Sequence, residues 1–246
     1  MLWDVDYTLL DSGGTGQELY QIAFLEMFGR DMPQPGSMAG RTDRAIAVEV
    51  LTLAGVPEPR RQVDAFHALM AARAPGLAHV ARERVRALPG AEQAVAALAD
   101  GQAGRGRGPG GRPGAGGRGQ TVQSLLTGNI RPLAEVKLGA LALAGHLDLD
   151  AGAYGEAHEV RAELVPVARH NAELAYGGDF GGQATVLVGD TPFDVAAALA
   201  TGARAVGVAT GGFSVAELAA CGAHAVLPDL ADTDRVLAAI LGPHAQ

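Results

Sequence analysis

Cysteine occurs once in this chain, at Cys221, so no intrachain disulfide can form and a reducing compartment is expected. Lysine also occurs once, at Lys137, and every other basic residue is arginine or histidine. No apolar run reaches the roughly 18 residues of a membrane-spanning helix, so no membrane partner is expected. No signal-peptide pattern opens the sequence either, and a cytoplasmic protein is the expectation. The net charge of -8 argues against general nucleic-acid binding. It fits a protein that handles ligand charge locally, with a metal ion or a few placed cations. The oligomeric state is not readable from these features.

What is present supports a sizeable core: 48% of the 246 residues are hydrophobic and 19% charged. That length suits one large domain, or a core with a smaller module. Positions 1–5 read as a strand, but only Met1, Leu2 and Trp3 precede the first carboxylate. Strands usually run about 5 to 6 residues. Either this one is trimmed or the start lies upstream, in which case an upstream extension would raise activity.

Positions 15–88 read as helical. Tyr20, Phe24, Met27 and Phe28 share one helical face, as do Ile46, Val50 and Leu53, then Val63, Phe66 and Met70. These stripes read as core, with no chemistry assigned to them. Leu88-Pro89-Gly90 ends the region, and a further helix is expected over 91–100. Residues 101–120, GQAGRGRGPGGRPGAGGRGQ, hold no aliphatic side chain larger than alanine, so a flexible insertion is expected. Its arginines lack the aromatic neighbours that stack on bases, so no nucleic-acid partner is expected. It should lie at the sheet edge opposite the strand carboxyl ends.

Strand and helix then alternate. Strands are expected over 121–127, 184–189, 204–209 and 225–227, with a short one over 152–155. Helices are expected over 132–144, 161–176, 191–200 and 233–241, and Ser214-x-x-Glu217 resembles a capping box. This alternation predicts an α/β fold with a parallel, Rossmann-like sheet.

Three strand ends carry polar residues. The first is Asp4-Val5-Asp6-Tyr7-Thr8, where two carboxylates two apart point the same way on extended backbone. The second is Leu125-Leu126-Thr127-Gly128-Asn129. The third is Gly189-Asp190-Thr191-Pro192-Phe193-Asp194. Ligands bind at such carboxyl ends in open parallel sheets.

This set, in this order, resembles three of the signature motifs of the haloacid dehalogenase-like (HAD) hydrolases. The helical stretch between the first two motifs matches the cap of phosphoglycolate phosphatase-like members. The resemblance implies a catalytic core over 1–12 plus 91–246, a helical cap over 13–90, and Mg²⁺-dependent hydrolysis of a small phosphorylated metabolite. By it, Asp4 is the nucleophile and forms an aspartyl-phosphate. Asp6 protonates the leaving group and later activates water. Thr127, Gly128 and Asn129 hold the phosphoryl oxygens. Asp190 binds Mg²⁺ with Asp4 and the backbone carbonyl of Asp6, oxygen ligands that suit a hard cation. Asp194 is a further metal ligand or, alternatively, a first-turn acid favoured by the helix dipole.

Two residues compete for the cation that screens Asp4 from phosphate. Lys137 has the side chain usual in the family but reads as a solvated helix position. Arg161 has the placement of the family's third motif, and is favoured. Tyr7 stands where relatives commonly have glycine and is expected to narrow the site. Arg41, in Gly40-Arg41-Thr42-Asp43, meets a substrate carboxylate or second phosphate, or is a surface cation. Asp6 with Asp190 argues against haloacid dehalogenation, and the single lysine, after the cap, against a Schiff-base phosphonatase. A β-phosphoglucomutase-like transferase and a non-catalytic phosphate-binding scaffold remain the alternatives.

Overall fold

In the computed structural model, which describes residues 1–103, 121–141 and 143–242, strand β1 is only Leu2–Trp3. It is nonetheless flanked on both sides. Strands β4 (Ser124–Leu125) and β5 (Val186–Gly189) pair with it, and β6 (Arg204–Val208) and β7 (Ala225–Leu227) extend the sheet. The order is β4-β1-β5-β6-β7, with every pair parallel. Backbone bonds carry the pairing past the short strand: Asp4 N–H donates to Val188 O at 2.8 Å and Leu126 N–H to Trp3 O at 2.8 Å.

Period-two alternation sorts the sheet's side chains into two layers. Trp3, Leu125, Val188 and Val206 enter one core with helices α5 (Ala91–Ala103) and α10 (Thr233–Leu241). Leu2, Leu126, Leu187 and Ala205 enter the other, with α7 (Leu164–Tyr176) and α8 (Pro192–Ala200). The chain leaves β1 towards β4 and later returns to β5 on the other side. That reversal puts a crevice at the carboxyl ends of β4, β1 and β5.

The region expected to be wholly helical is not quite so. Helices α1 (Thr15–Phe28), α2 (Asp43–Leu53), α3 (Pro59–Arg73) and α4 (Ala78–Arg84) enclose a third core, joined by Ile130 and Leu133. Their entry and exit, however, pair as an antiparallel ribbon of β2 (Leu10–Asp11) and β3 (Arg86–Ala87). Two residues per strand are too few to show as alternation in the sequence.

Other boundaries shift. The expected 121–127 strand is reduced to β4, and the helix expected over 132–144 is α6 (Arg131–Gly139), followed by a 3₁₀ turn at Ala144–His146. Helix α5 runs to Ala103, into the segment expected to be a linker, and residues 104–120 lie outside those described. The short strand expected at 152–155 is a single bridge, Ala153 to Leu126. Ser214 and Glu217 do form a capping box on α9 (Val215–Ala220). Among the described residues no helix is long and apolar enough to cross a membrane.

The helical layer meets the sheet layer through close backbone contact. Asp43 N–H donates to Gly128 O at 2.7 Å and Arg44 N–H to Gly155 O at 3.0 Å. A Cβ on Gly155 would lie 1.7 Å from Gly128 O, so only glycine fits. Gly155→Ala is expected to destabilise the protein by about 3 kcal/mol, the range of other overpacked sites, read from urea unfolding midpoints. A change under about 0.5 kcal/mol would show that the contact is not needed.

Candidate active site

The three polar strand ends converge. Asp4 follows β1 directly, Thr127 lies two residues past β4, and Asp190 follows β5. All three line a cavity of about 220 Å³, with Asp6, Asn129, Arg161 and Lys137 among its other walls. Asp4, Asp190 and Asp194 each offer an oxygen, and these atoms lie within 4.8 Å of one another.

Burial sets the electrostatics. Asp4 is 5% exposed and Asp190 2% exposed. Burial raises the Asp4 carboxyl to about 7 against the pull of Arg161, with Asp194 and Asp6 adding to the rise. Burial likewise raises Asp190 to about 8, reinforced by Asp4 and Asp194 and opposed by Arg161. Asp6 goes the other way. Its burial works to raise it, but Lys137 and Asn129 outweigh that and hold it below the usual carboxylate range.

Each cation is committed. The guanidinium of Arg161 lies 2.7 Å from Asp4 Oδ1 and 2.7 Å from Asp194 Oδ1. It also donates to Leu126 O at 3.1 Å and Gly40 O at 3.2 Å. Lys137 was expected on a solvated helix face; instead it is 2% exposed. Its ammonium donates to Asp6 Oδ1 at 2.8 Å, Asp6 Oδ2 at 2.7 Å and Asn129 Oδ1 at 2.7 Å. The buried stripe of α6 is Leu133, Ala134, Lys137 and Leu138, and helical spacing puts 137 on it.

Thr127 Oγ1 accepts from Asn129 N–H at 3.2 Å and Asn129 Nδ2 at 2.8 Å, which leaves its own hydroxyl hydrogen to donate. Asn129 Nδ2 also donates to Asp6 Oδ2 at 2.6 Å. Asp194 is the first-turn acid of α8, where Oδ2 closes a capping box with Thr191 and Oδ1 lies on Arg161, and it is also a member of the carboxylate cluster. Arg41 lines the cavity but pairs with Glu49.

Other residues complete the site. Thr8 Oγ1 donates to Asp190 Oδ1 at 3.3 Å. A Cβ at Gly211 would lie 1.9 Å from Asp190 Oδ2, so any other residue there would displace that carboxylate. Asp43 and Tyr20 join the cavity wall from the helical side, where Tyr20 OH donates to Asp43 Oδ1 at 3.0 Å. Tyr7 sits at φ 55°, a left-handed conformation that costs a non-glycine residue about 1 kcal/mol. This is the backbone reason a glycine would suit the turn, and the ring is 46% exposed at the rim.

Oxygen donors alone make up the Asp4–Asp190–Asp194 cluster, and Arg161 is the cation it shares. That donor set fits a hard divalent cation such as Mg²⁺.

Comparison with known proteins gives the same architecture. A family model described as HAD-hydrolase-like matches residues 162–233. A hydrolase from Pseudomonas syringae is 21% identical with a TM-score of 0.62, covering 96% of each chain. A predicted phosphatase from Clostridium acetobutylicum is 16% identical with a TM-score of 0.64, again covering 96% of each chain. A Bacteroides vulgatus protein provisionally described as a β-phosphoglucomutase is 14% identical with a TM-score of 0.60, covering 100% of this chain and 89% of its own. No curated protein matches the sequence. At these identities the solved structures speak for the fold, and the match over 162–233 speaks for the sequence. Over residues 162–233 the chain is similar to haloacid dehalogenase-like hydrolases, and over nearly its whole length it shares the fold of the solved structures.

Proposed function

We propose that this chain is a Mg²⁺-dependent phosphomonoester hydrolase acting on a small phosphorylated metabolite through an aspartyl-phosphate on Asp4. One observation carries the reading: Asp4, Asp6, Thr127 and Asp190 meet around one small cavity at the carboxyl ends of three adjacent strands. The helical segment 13–90 would act as the cap over a core of 1–12 plus 91–246.

Asp4, Asp190 and Asp194 would hold Mg²⁺, which when bound supplies positive charge to the phosphoryl oxygens and favours the ionised carboxylates. Arg161, on Asp4 Oδ1, screens the nucleophile from the incoming anionic ester. Thr127 donates its hydroxyl to a phosphoryl oxygen, with Gly128 and Asn129 beside it. Asp4 attacks phosphorus in line and the ester P–O bond breaks. Asp6, held as a carboxylate by Lys137 and Asn129, takes the proton of the ester monoanion and passes it to the leaving oxygen. It then removes a proton from the water that hydrolyses the aspartyl-phosphate. Lys137 thereby serves as a positioning residue for Asp6, while Arg161 is the cation at the nucleophile.

The site geometry supports hydrolysis over haloacid chemistry, because Asp6 and the carboxylate cluster have no task in a metal-free dehalogenation. Asp4→Asn is expected to lower p-nitrophenyl phosphate turnover by about 10³-fold or more, and Arg161→Met by about 10²-fold, in a steady-state assay with Mg²⁺. Full activity in Asp4→Asn would remove the nucleophile assignment.

Proton linkage gives a second prediction. Asp4 and Asp190 have raised values in the folded, metal-free protein. Between the ordinary carboxylate range and about pH 8 the folded state therefore holds more protons than the unfolded one. Their contribution to stability falls as pH rises through that window. Mg²⁺ competes with those protons. The rise in Tm on adding Mg²⁺ should be larger at pH 8 than at pH 5.5, and Asp190→Asn should remove most of the difference. Equal Tm shifts at both pH values would contradict the assigned ligands.

A further inference from the structure

The charge inventory of the cavity bears on which phosphomonoester fits, an inference that rests on the phosphatase reading. Among the described residues three cations line it: Arg41, Lys137 and Arg161. Arg161 is engaged by Asp4 and Asp194, and Lys137 by Asp6 and Asn129. Arg41 is the cation of the helical side. It pairs with Glu49, and its other guanidinium contacts go to the carbonyls of Ser37 and Ala45, each at 3.3 Å. Glu49 is fixed in turn by Gly36 N–H at 2.8 Å. The same wall presents the buried carboxylate of Asp43, held by Ile130 N–H at 2.7 Å and by Tyr20 OH.

A carboxylate or second phosphate on the leaving group would meet Asp43 and cations that are already neutralised. Recruiting Arg161 or Lys137 means breaking a buried ion pair and leaving its partner unmatched, and recruiting Arg41 means giving up its pair with the part-exposed Glu49. A hydroxylated, uncharged leaving group avoids that loss and can hydrogen-bond to the polar wall. We infer that the cavity selects phosphomonoesters with a neutral hydroxylated leaving group, a sugar or polyol phosphate, over acidic ones. Glu49 sets the preference by neutralising Arg41.

Glycerol 3-phosphate and 3-phosphoglycerate form a size-matched pair, differing by a hydroxymethyl against a carboxylate. With Mg²⁺, kcat/KM for the former should exceed that for the latter by about tenfold or more, the scale of one charge-assisted hydrogen bond. If neither is turned over, the same ratio is read from their inhibition of p-nitrophenyl phosphate hydrolysis. Glu49→Gln, checked for folding by its circular-dichroism melt, should narrow the ratio about tenfold by improving the acidic compound. An equal or reversed ratio in the unaltered protein overturns the inference, and needs no variant to fold. A folded Glu49→Gln protein with an unchanged ratio overturns the role of Glu49. If p-nitrophenyl phosphate itself is not hydrolysed, the phosphatase reading falls first and takes this inference with it.

Discussion

Burying like charges together is the constraint on which the rest of the structure depends. Asp4, Asp190 and Asp194 share one small volume at the carboxyl ends of adjacent strands, nearly cut off from water. Isolated buried carboxylates would take up protons or expel one another. Arg161 meets this by bridging Asp4 and Asp194, and it must itself be buried and charged to do so. Arginine suits that task because its charge is permanent and its planar fork reaches several acceptors at once. One guanidinium against three carboxylates still leaves an excess of negative charge, and that excess favours a divalent cation.

The same guanidinium ties the chemistry to the helical layer. It donates to Gly40 O on the loop that leads into α2, as well as to Leu126 O just past β4. Beside it, Asp43 holds Gly128 and Ile130, and Gly155 admits the backbone contact that a side chain would block. The loop that carries Thr127 is therefore fixed from both layers. On the far side of the cavity, Lys137 and Asn129 hold Asp6 in place. The neighbouring acids Asp4 and Asp6 thus sit in different surroundings, one raised by burial and the other lowered by an ammonium. Two carboxylates two residues apart can then take different roles.

Much of this was legible in the sequence, for identifiable reasons. Strand–helix alternation after residue 120 reports a buried parallel sheet, and Asp4, Thr127 and Asp190 stand where those strands end. Capping boxes are local, so Ser214–Glu217 could be read directly. Features that depend on distant partners could not. The β2–β3 ribbon is two residues wide and joins segments far apart in the chain. Lys137 reads as a surface residue until its partner Asp6, from the other end of the site, is known. Gly211 matters only because Asp190 packs against it, and Asp43 only because the helical layer folds down upon Gly128. Burial of a charge is a property of the assembled fold, so the commitments of Arg41, Lys137 and Arg161 emerge only with the coordinates.

The central claim is that phosphoryl transfer passes through Asp4. The direct measurement is borohydride trapping during turnover of a phosphomonoester with Mg²⁺, followed by mass spectrometry of the N-terminal peptide. An acyl phosphate on this side chain is reduced to the alcohol, so the account predicts homoserine at position 4. Homoserine at another aspartate, or unmodified Asp4 while substrate is being consumed, would contradict it.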